Sequence, residues 1–231
     1  MTTSPVWYRR RLYGVPVTAI VFFLAFASLM LAFPGIDLAL SRPFYTPGMG
    51  FEANGRRWER VLYHSIELLM VTVNLSLIGL WLFNRRARPS LLKFNGRKLL
   101  FLLCLLALLP GLIVNQVLKE NWGRARPVNV VEFGGDLRFT PPFVTSDQQG
   151  GSFSSGHAAA AFYLVAVAAI LFGRRSRWVL ATTVYAVLIG LVRIAAGGHY
   201  ASDVLTSGFL VLFGYLILHR LFFGDDHPEA E

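Results

Sequence analysis

Cysteine is almost absent from this 231-residue chain, which contains only Cys104. A single cysteine excludes any intramolecular disulfide and makes a thiolate metal site implausible. Because Cys104 lies inside an apolar run, it is interpreted as a small buried hydrophobe.

Charged residues are also scarce. They make up 15% of the chain against 55% hydrophobic residues, and the mean hydropathy is +0.52. These values are typical of a protein that crosses a membrane several times. A net charge of +9 would suggest a nucleic-acid partner for a soluble protein, but no soluble basic domain is left over. The predicted partner is therefore the lipid bilayer, with no nucleic acid.

Six apolar runs predict an all-α, polytopic bundle of six transmembrane helices, with residues 1–231 forming a single membrane domain. A basic start followed by an apolar stretch also fits a signal peptide, but the first run is about 20 residues long and no cleavage site follows. Pro110 and Gly111 predict a kink in the third span, and a short surface helix is expected within residues 35–60. The predicted spans are residues 14–33, 61–83, 99–118, 155–172, 178–194 and 200–222.

Acidic residues are missing from three basic segments: the residues before the first span, residues 84–98 and residues 174–177. These segments hold twelve of the 22 lysines and arginines. Such loops mark the cytoplasmic side, so both termini are predicted to be cytoplasmic in a bacterial inner membrane. The polar clusters between residues 119 and 203 then share the opposite face, and their site is expected to open to the periplasm.

The middle polar cluster reads Ser154-Ser155-Gly156-His157 and precedes an alanine-rich apolar run. Ser154 or Ser155 is predicted to cap a helix, whose free N–H groups and dipole favour an anion. Gly156 would let the backbone approach a phosphate closely, and His157 could protonate a leaving oxygen. Taken alone, an ordinary helix cap is the alternative interpretation.

In the third cluster, His199 and Asp203 are four residues apart and share one face if the sixth helix begins near His199. A carboxylate that holds one ring nitrogen leaves the other as a nucleophile, although Asp203 could instead cap the helix. Arg193 could bind phosphoryl oxygens with its guanidinium fork. Gly197-Gly198 would supply the turn that brings these groups together.

The first cluster places Lys119, Arg124 and Arg126 at the end of the third span. The alternative is that these side chains snorkel to the membrane interface. Unpaired cations are otherwise rare on this side of the membrane, which weighs against that alternative. Phosphoryl transfer needs cations around its spreading negative charge.

His64 and Glu67 are three residues apart on the second span. They share a helix face and could bind a metal. Packing or headgroup contacts near the helix end are the favoured alternative.

Together the three clusters resemble the type-2 phosphatidic acid phosphatase (PAP2) superfamily, whose motifs are Lys-x6-Arg-Pro, Pro-Ser-Gly-His and Ser-Arg-x5-His-x3-Asp. Order and internal spacing agree, and the resemblance covers the predicted spans three to six, a core of about residues 99–222. Ser154 stands where the family usually has proline, and Val192 where it usually has serine. In this chain the motifs read Lys119 to Arg126-Pro127, Ser154 to His157, and Val192-Arg193 to His199 and Asp203.

The resemblance implies that His199 is a nucleophile that forms a phosphohistidine, that Asp203 orients it, and that His157 protonates the departing oxygen and then activates water. No metal or cofactor is implied, because cations occupy the role that a metal would fill. Arg124, Glu67 and His64, which lie outside the pattern, are candidate headgroup contacts. The implied phosphate-binding residues are Lys119, Arg126, Ser155, Gly156 and Arg193.

The expected activity is removal of phosphate from a lipid phosphate or diphosphate, reached laterally between helices. The segment Ser-Phe-Ser-Ser-Gly-His looks similar to that of bacterial lipid A phosphatases. Phosphatidylglycerol phosphate and undecaprenyl diphosphate phosphatases share the core motifs and remain alternatives. Two further alternatives are a lipid phosphotransferase of the same family and, from another class, an anion-binding transporter.

Overall fold

The computed structural model describes residues 10–87 and 90–224, and this part of the chain is mostly helical, as the sequence predicts. Arg9 and Arg88 of the predicted basic segments, and both chain termini, lie outside the described residues. Two short antiparallel hairpins accompany the helices. In the first, β1 (Arg11–Leu12) pairs with β2 (Val15–Pro16), and in the second, β3 (Tyr45–Thr46) pairs with β4 (Gly50–Phe51).

The helices pack against one another in one bundle. They are α1 (Val17–Ala32), α2 (Gly35–Ser41), α3 (Arg57–Asn84), α4 (Gly96–Leu106), a π-helical segment (Ala107–Leu118), α5 (Lys119–Asn121), α6 (Gly156–Phe172), α7 (Arg177–Ala195) and α8 (Ala201–Phe223). Short 3₁₀ turns lie at Arg42–Phe44, Leu91–Lys93, Pro127–Asn129 and Val131–Phe133.

The multi-pass helical architecture is confirmed, with four or five candidate spans among the described residues rather than the six predicted. Among the described residues, four helices are long and apolar enough to cross a membrane: Arg57–Asn84, Gly96–Asn121, Arg177–Ala195 and Ala201–Phe223. A fifth is reached if α1 and the segment Gly35–Phe44, which are bent by 88°, form one span. The remaining helix, α6, is apolar but has only 17 residues. A count of six therefore stays a prediction.

The first span differs from its predicted range of 14–33. Gly14 lies in the turn of the first hairpin with a φ of +89°, so α1 begins only at Val17. The chain bends at Pro34 and continues as α2, the short helix expected within residues 35–60. This helix is not simply a surface element, because Asp37 and Ser41 are fully buried.

The predicted irregularity at Pro110 takes the form of a π-helical segment over Ala107–Leu118. Proline has no N–H to donate, so the regular ladder cannot continue through it. The wider π-helix is a recognised local solution, often found near functional sites. Asn115 Nδ2 donates to the Pro110 carbonyl oxygen at 2.8 Å. The π-helical segment ends at Leu118, directly before Lys119.

Helix α6 occupies the centre of the bundle and packs against α4, the π-helical segment, α7 and α8. Its first half is built from alanines, and Ala158, Ala159 and Ala161 are fully buried. Small side chains let neighbouring helices approach closely in a membrane. As a result, the beginnings of α6 and α8 and the ends of α5 and α7 meet at one end of the bundle.

Candidate active site

One cavity of about 270 Å³ lies at this end of the bundle and collects residues from all three motifs. The motifs are separated by long apolar stretches, and the alternating helix directions bring them together. From the predicted set, the cavity is lined by Lys119, Arg126, Gly156, His157, Arg193 and His199. Its remaining wall comes from Tyr63, Ile66, Glu67, Met70, Asn115 and Ala160.

His199 is held in one tautomer by the backbone. Its Nδ1 lies 2.7 Å from the Ser152 carbonyl oxygen, which can only accept a hydrogen bond, so Nδ1 carries the proton and Nε2 keeps a lone pair. Burial lowers the pKa of His199 below its ordinary value, and the Asp203 carboxylate opposes this shift only in part. The imidazole is therefore neutral at neutral pH, which is the form a nucleophile requires.

Asp203 lies beside His199, as the spacing predicts, but no direct hydrogen bond joins the two side chains. Its Oδ2 lies 3.8 Å from His199 Nδ1, because that oxygen already accepts hydrogen bonds from Ser152 Oγ at 2.6 Å and from the Tyr200 backbone N–H at 2.9 Å. The second bond caps α8. Asp203 is therefore both a helix cap and a partner of His199, and it reaches the imidazole through Ser152.

The prediction that Arg124 contacts a lipid headgroup is wrong, because its side chain is fully buried and cannot reach a lipid. Its Nη2 donates to Asp37 Oδ2 at 2.8 Å, and its Nη1 donates to Asp203 Oδ1 at 2.5 Å and to Ser202 Oγ at 2.9 Å. Burial alone would lower the pKa of Arg124, but the carboxylates of Asp203 and Asp37 raise it above its ordinary value. Arg124 thus stays charged inside the protein.

The cations that line the cavity differ in whether a nearby carboxylate pairs with them. Lys119 and Arg126 form no ion pair within residues 10–87 and 90–224. Arg193 pairs through Nη1 with Glu59 Oε1 at 3.0 Å, and its guanidinium lies 4.8 Å from the centre of the Tyr63 ring. Arg193 Nε is buried without a hydrogen-bond partner among the described residues. The cavity is therefore suited to an anion.

The start of α6 supplies backbone donors to the same cavity. Ser155 caps the helix, with its Oγ accepting from the Ala158 N–H at 3.4 Å, so the cap predicted at Ser154 or Ser155 is Ser155. A Cβ at Gly156 would lie 2.6 Å from Asn115 Oδ1, and Asn115 is itself tied to the π-helical segment. Glycine is therefore needed here to keep the helix start open towards the cavity.

His157 is the first side chain to project from α6 into the cavity. Its ring centre lies 4.0 Å from that of Tyr63. Its Nε2 is buried and has no hydrogen-bond partner among the residues that the structure describes. An unpartnered ring nitrogen beside an anion site is free to exchange a proton with a ligand.

The turn at Gly197-Gly198 joins Arg193 to His199. Gly197 has a φ of +64°, and a Cβ there would lie 2.5 Å from the Phe51 ring. A Cβ at Gly198 would lie 2.2 Å from Arg193 Nη2. Two glycines therefore let the guanidinium and the imidazole approach the same cavity from one tight turn.

His64 and Glu67 form an exposed pair on α3, with His64 Nδ1 3.1 Å from Glu67 Oε2. Glu67 lines the cavity and His64 does not. The described part of the chain contains no group of three or more His, Cys, Asp or Glu placed to hold a metal ion. Their role as headgroup contacts stays a prediction.

Sequence reasoning missed four residues that contact the motif residues or their buried partners: Asp37, Glu59, Tyr63 and Ser152. Two of them carried a signal. Asp37 is the first acidic residue of the chain and follows an apolar span, and Glu59 stands among three arginines. Carboxylates in such positions need a buried or local cation. Nothing in the sequence distinguished Tyr63 or Ser152 from neighbouring residues.

Comparison with known proteins agrees with the three motifs. The PAP2 superfamily model matches residues 97–225, more than half of the chain. A lipid A 4'-phosphatase of Francisella tularensis subsp. novicida is 39% identical over 136 residues, covering 57% of this chain and 61% of that relative's length. A lipid A 4'-phosphatase of Rhizobium leguminosarum is 31% identical over 207 residues, covering 80% of this chain and 88% of the relative.

The fold is shared with a solved structure. The crystal structure of a transmembrane PAP2-type phosphatidylglycerolphosphate phosphatase from Bacillus subtilis superposes with a TM-score of 0.57 at 22% identity. The superposition covers 91% of this chain and 96% of that one. Because the family model matches more than half of the chain and the Rhizobium relative is 31% identical over 80% of it, the chain belongs to the PAP2 superfamily.

Proposed function

We propose that this protein is an integral membrane lipid phosphatase that works through a phosphohistidine, with lipid A as its favoured substrate. The observation that carries the proposal is the state of His199. Its Nδ1–H is bound to the Ser152 carbonyl, which leaves Nε2 as a lone-pair nucleophile in the cavity that Lys119 and Arg126 also line.

In the first step, Nε2 of His199 attacks the phosphorus atom and the bond from phosphorus to the lipid oxygen breaks. The electron pair of that bond stays on the lipid oxygen, which takes a proton from His157 and leaves as an alcohol. In the second step, His157 accepts a proton from water, whose oxygen attacks phosphorus. The P–N bond breaks, its electrons return to Nε2, and inorganic phosphate is released.

The positive residues provide electrostatic stabilisation of this transfer. Lys119, Arg126 and Arg193 would surround the phosphoryl oxygens, and the N–H groups at the start of α6 would bind them as an anion. Since negative charge spreads over these oxygens in the transition state, such donors accelerate the reaction without a metal ion. Ser155 contributes through the helix start that it caps.

The identity of the lipid is inferred from two features. The two relatives described above are named lipid A 4'-phosphatases. Glu67 also lines the cavity among the cations. Its carboxylate would repel a second phosphate and accept a hydrogen bond from a hydroxyl or amide N–H, groups that a sugar headgroup carries.

Phosphate release from purified protein tests this proposal. The panel is lipid A, phosphatidylglycerol phosphate, phosphatidic acid and undecaprenyl diphosphate, each with and without a chelator. We expect the fastest release from lipid A, unchanged by the chelator. Phosphate that reappears on an acceptor lipid would establish a phosphotransferase instead, and binding without any turnover would favour an anion transporter.

The proposed topology has six spans, both termini in the cytoplasm and the cavity facing the periplasm. It is supported by the described residues of the three basic segments. Gly14, next to the first segment, lies against Arg220, Arg97 lies over the Phe223 ring and Arg174 lies over the Tyr215 ring, all towards the end of α8 that is far from the cavity. A reporter enzyme that is active only in the periplasm should be inactive when inserted within residues 84–98 and active when inserted within residues 134–138. The reverse result would invert the orientation.

A further inference from the structure

We propose that Asp37 and Arg124 are positioning residues for the nucleophile His199, acting through Asp203 and Ser152. Neither residue belongs to the three motifs, and Asp37 lies on α2, outside the residues that the family model matches. The proposal rests on the phosphatase function proposed above and adds a second layer to its site.

Hydrogen bonds, together with the covalent frame of Ser152, connect these residues to the imidazole. Arg124 Nη2 donates to Asp37 Oδ2 at 2.8 Å, and Arg124 Nη1 donates to Asp203 Oδ1 at 2.5 Å. Ser152 Oγ donates to Asp203 Oδ2 at 2.6 Å. The Ser152 carbonyl oxygen then accepts from His199 Nδ1 at 2.7 Å.

Asp37 also fixes the segment that carries the nucleophile. Its Oδ1 accepts from the Ser202 backbone N–H at 3.0 Å, and its Oδ2 accepts from Ser202 Oγ at 2.5 Å. Ser202 lies in the first turn of α8, three residues after His199. One carboxylate from α2 therefore anchors both Arg124 and the beginning of α8.

The hydrogen bonds that Asp203 already accepts explain why the imidazole faces a carbonyl rather than a carboxylate. Arg124 occupies one oxygen of Asp203, and the cap of α8 and Ser152 occupy the other, so none is left at bonding distance from His199. A carboxylate bound directly to Nδ1 would draw the imidazole towards its protonated form. Held at 3.8 Å, Asp203 can still stabilise the positive ring that forms on phosphorylation.

Stability alone does not account for this network. Asp37, Arg124 and Asp203 are all fully buried, and buried ion pairs often stabilise a fold no better than apolar side chains of similar volume. What such a network supplies is a fixed geometry. Replacing residues that hydrogen-bond to metal ligands typically changes activity by about 10- to 100-fold. We expect a similar effect from residues that orient a nucleophile.

The test compares Asp37→Asn and Arg124→Gln with a matched exposed pair. Asp147 and Arg138 lie 3.5 Å apart with side chains 84% and 79% exposed, so Asp147→Asn and Arg138→Gln remove the same charges from the surface. We expect Asp37→Asn and Arg124→Gln to lower kcat by about 10- to 100-fold while KM changes by less than about threefold. The two surface variants should keep the wild-type kcat.

A second measurement does not depend on turnover. In protein labelled with ¹⁵N at histidine, the His199 signal is identified by its loss in His199→Ala, and wild type should show the neutral tautomer protonated at Nδ1. The double variant Asp37→Asn/Arg124→Gln removes one charge of each sign and so limits misfolding. It should show a mixture of tautomers together with the low kcat.

The outcomes separate the two proposals. Wild-type protein that hydrolyses none of the lipids would overturn the phosphatase function, and the His199 tautomer would still decide the positioning role. If wild type is active and the double variant keeps both its kcat and its single tautomer, Asp37 and Arg124 do not position His199.

Discussion

Replacement of His199 by alanine is expected to reduce phosphate release to background, a loss of roughly 10⁴-fold or more, as for other covalent nucleophiles. Among the described residues that line the cavity, His199 alone has a ring nitrogen hydrogen-bonded to a backbone carbonyl, which leaves its other nitrogen with a lone pair. The variant should still insert and fold, because the lost contacts are one hydrogen bond to Ser152 and local packing. Phosphate release is measured with purified protein, and size-exclusion chromatography in detergent checks that the variant is folded.

His219→Ala is the matched control for this experiment. His219 lies on α8 among the rings of Phe101, Tyr215 and Phe223, outside the cavity. It should retain the wild-type rate for the folded fraction. Full turnover in His199→Ala would disprove the phosphohistidine route, and loss of activity in both variants to the same extent would show that the effect is structural.

The motif residues could be predicted because their neighbours along the chain define their position. Lys119 ends one apolar run, His157 begins another, and Arg193 and His199 flank a pair of glycines between two more. An apolar helix fixes which end of the bundle its last residue reaches. Convergence at one end then follows from counting the apolar runs, even though the helix ends differ from the predicted ones by up to four residues.

Arg124 and Arg126 show where such reasoning stops. They are two residues apart and identical in type, yet one is fully buried and the other lines the cavity. What separates them is a partner 87 residues away, Asp37, together with Asp203. The position of a buried charge depends on its counterion. Which distant charges pair cannot be predicted from the spacing of residues along the chain.

Asp203 illustrates a related limit. The spacing of four from His199 places both on one side of the α8 start, but spacing alone cannot assign the two carboxylate oxygens. In the structure they are taken by Arg124, Ser152 and the cap of α8. Competition for lone pairs among buried groups depends on the tertiary fold, so the orienting contact passes to a backbone carbonyl.

Replacement of His157 by alanine should separate the two steps of the reaction. For a lipid ester, loss of the proton donor is expected to slow turnover by about 10²- to 10⁴-fold. An activated aryl phosphate needs no proton on its departing oxygen, so His199 can still be phosphorylated at a substantial rate. Hydrolysis of the phosphohistidine stays slow, because the same histidine activates water in the second step.

The expected signature with the aryl phosphate is therefore a burst of about one equivalent of phenol per protein, followed by a slow steady rate. Stopped-flow absorbance measures the burst. A denaturing alkaline quench preserves the P–N bond, and loss of the phosphoryl group on later acid treatment identifies phosphohistidine as the trapped species. His199→Ala provides the control, since it should show neither burst nor steady release. If His157→Ala loses equal activity on both substrates and shows no burst, His157 is not the proton donor. Its Nε2, which has no hydrogen-bond partner in the described part of the chain, would instead serve to bind the phosphate.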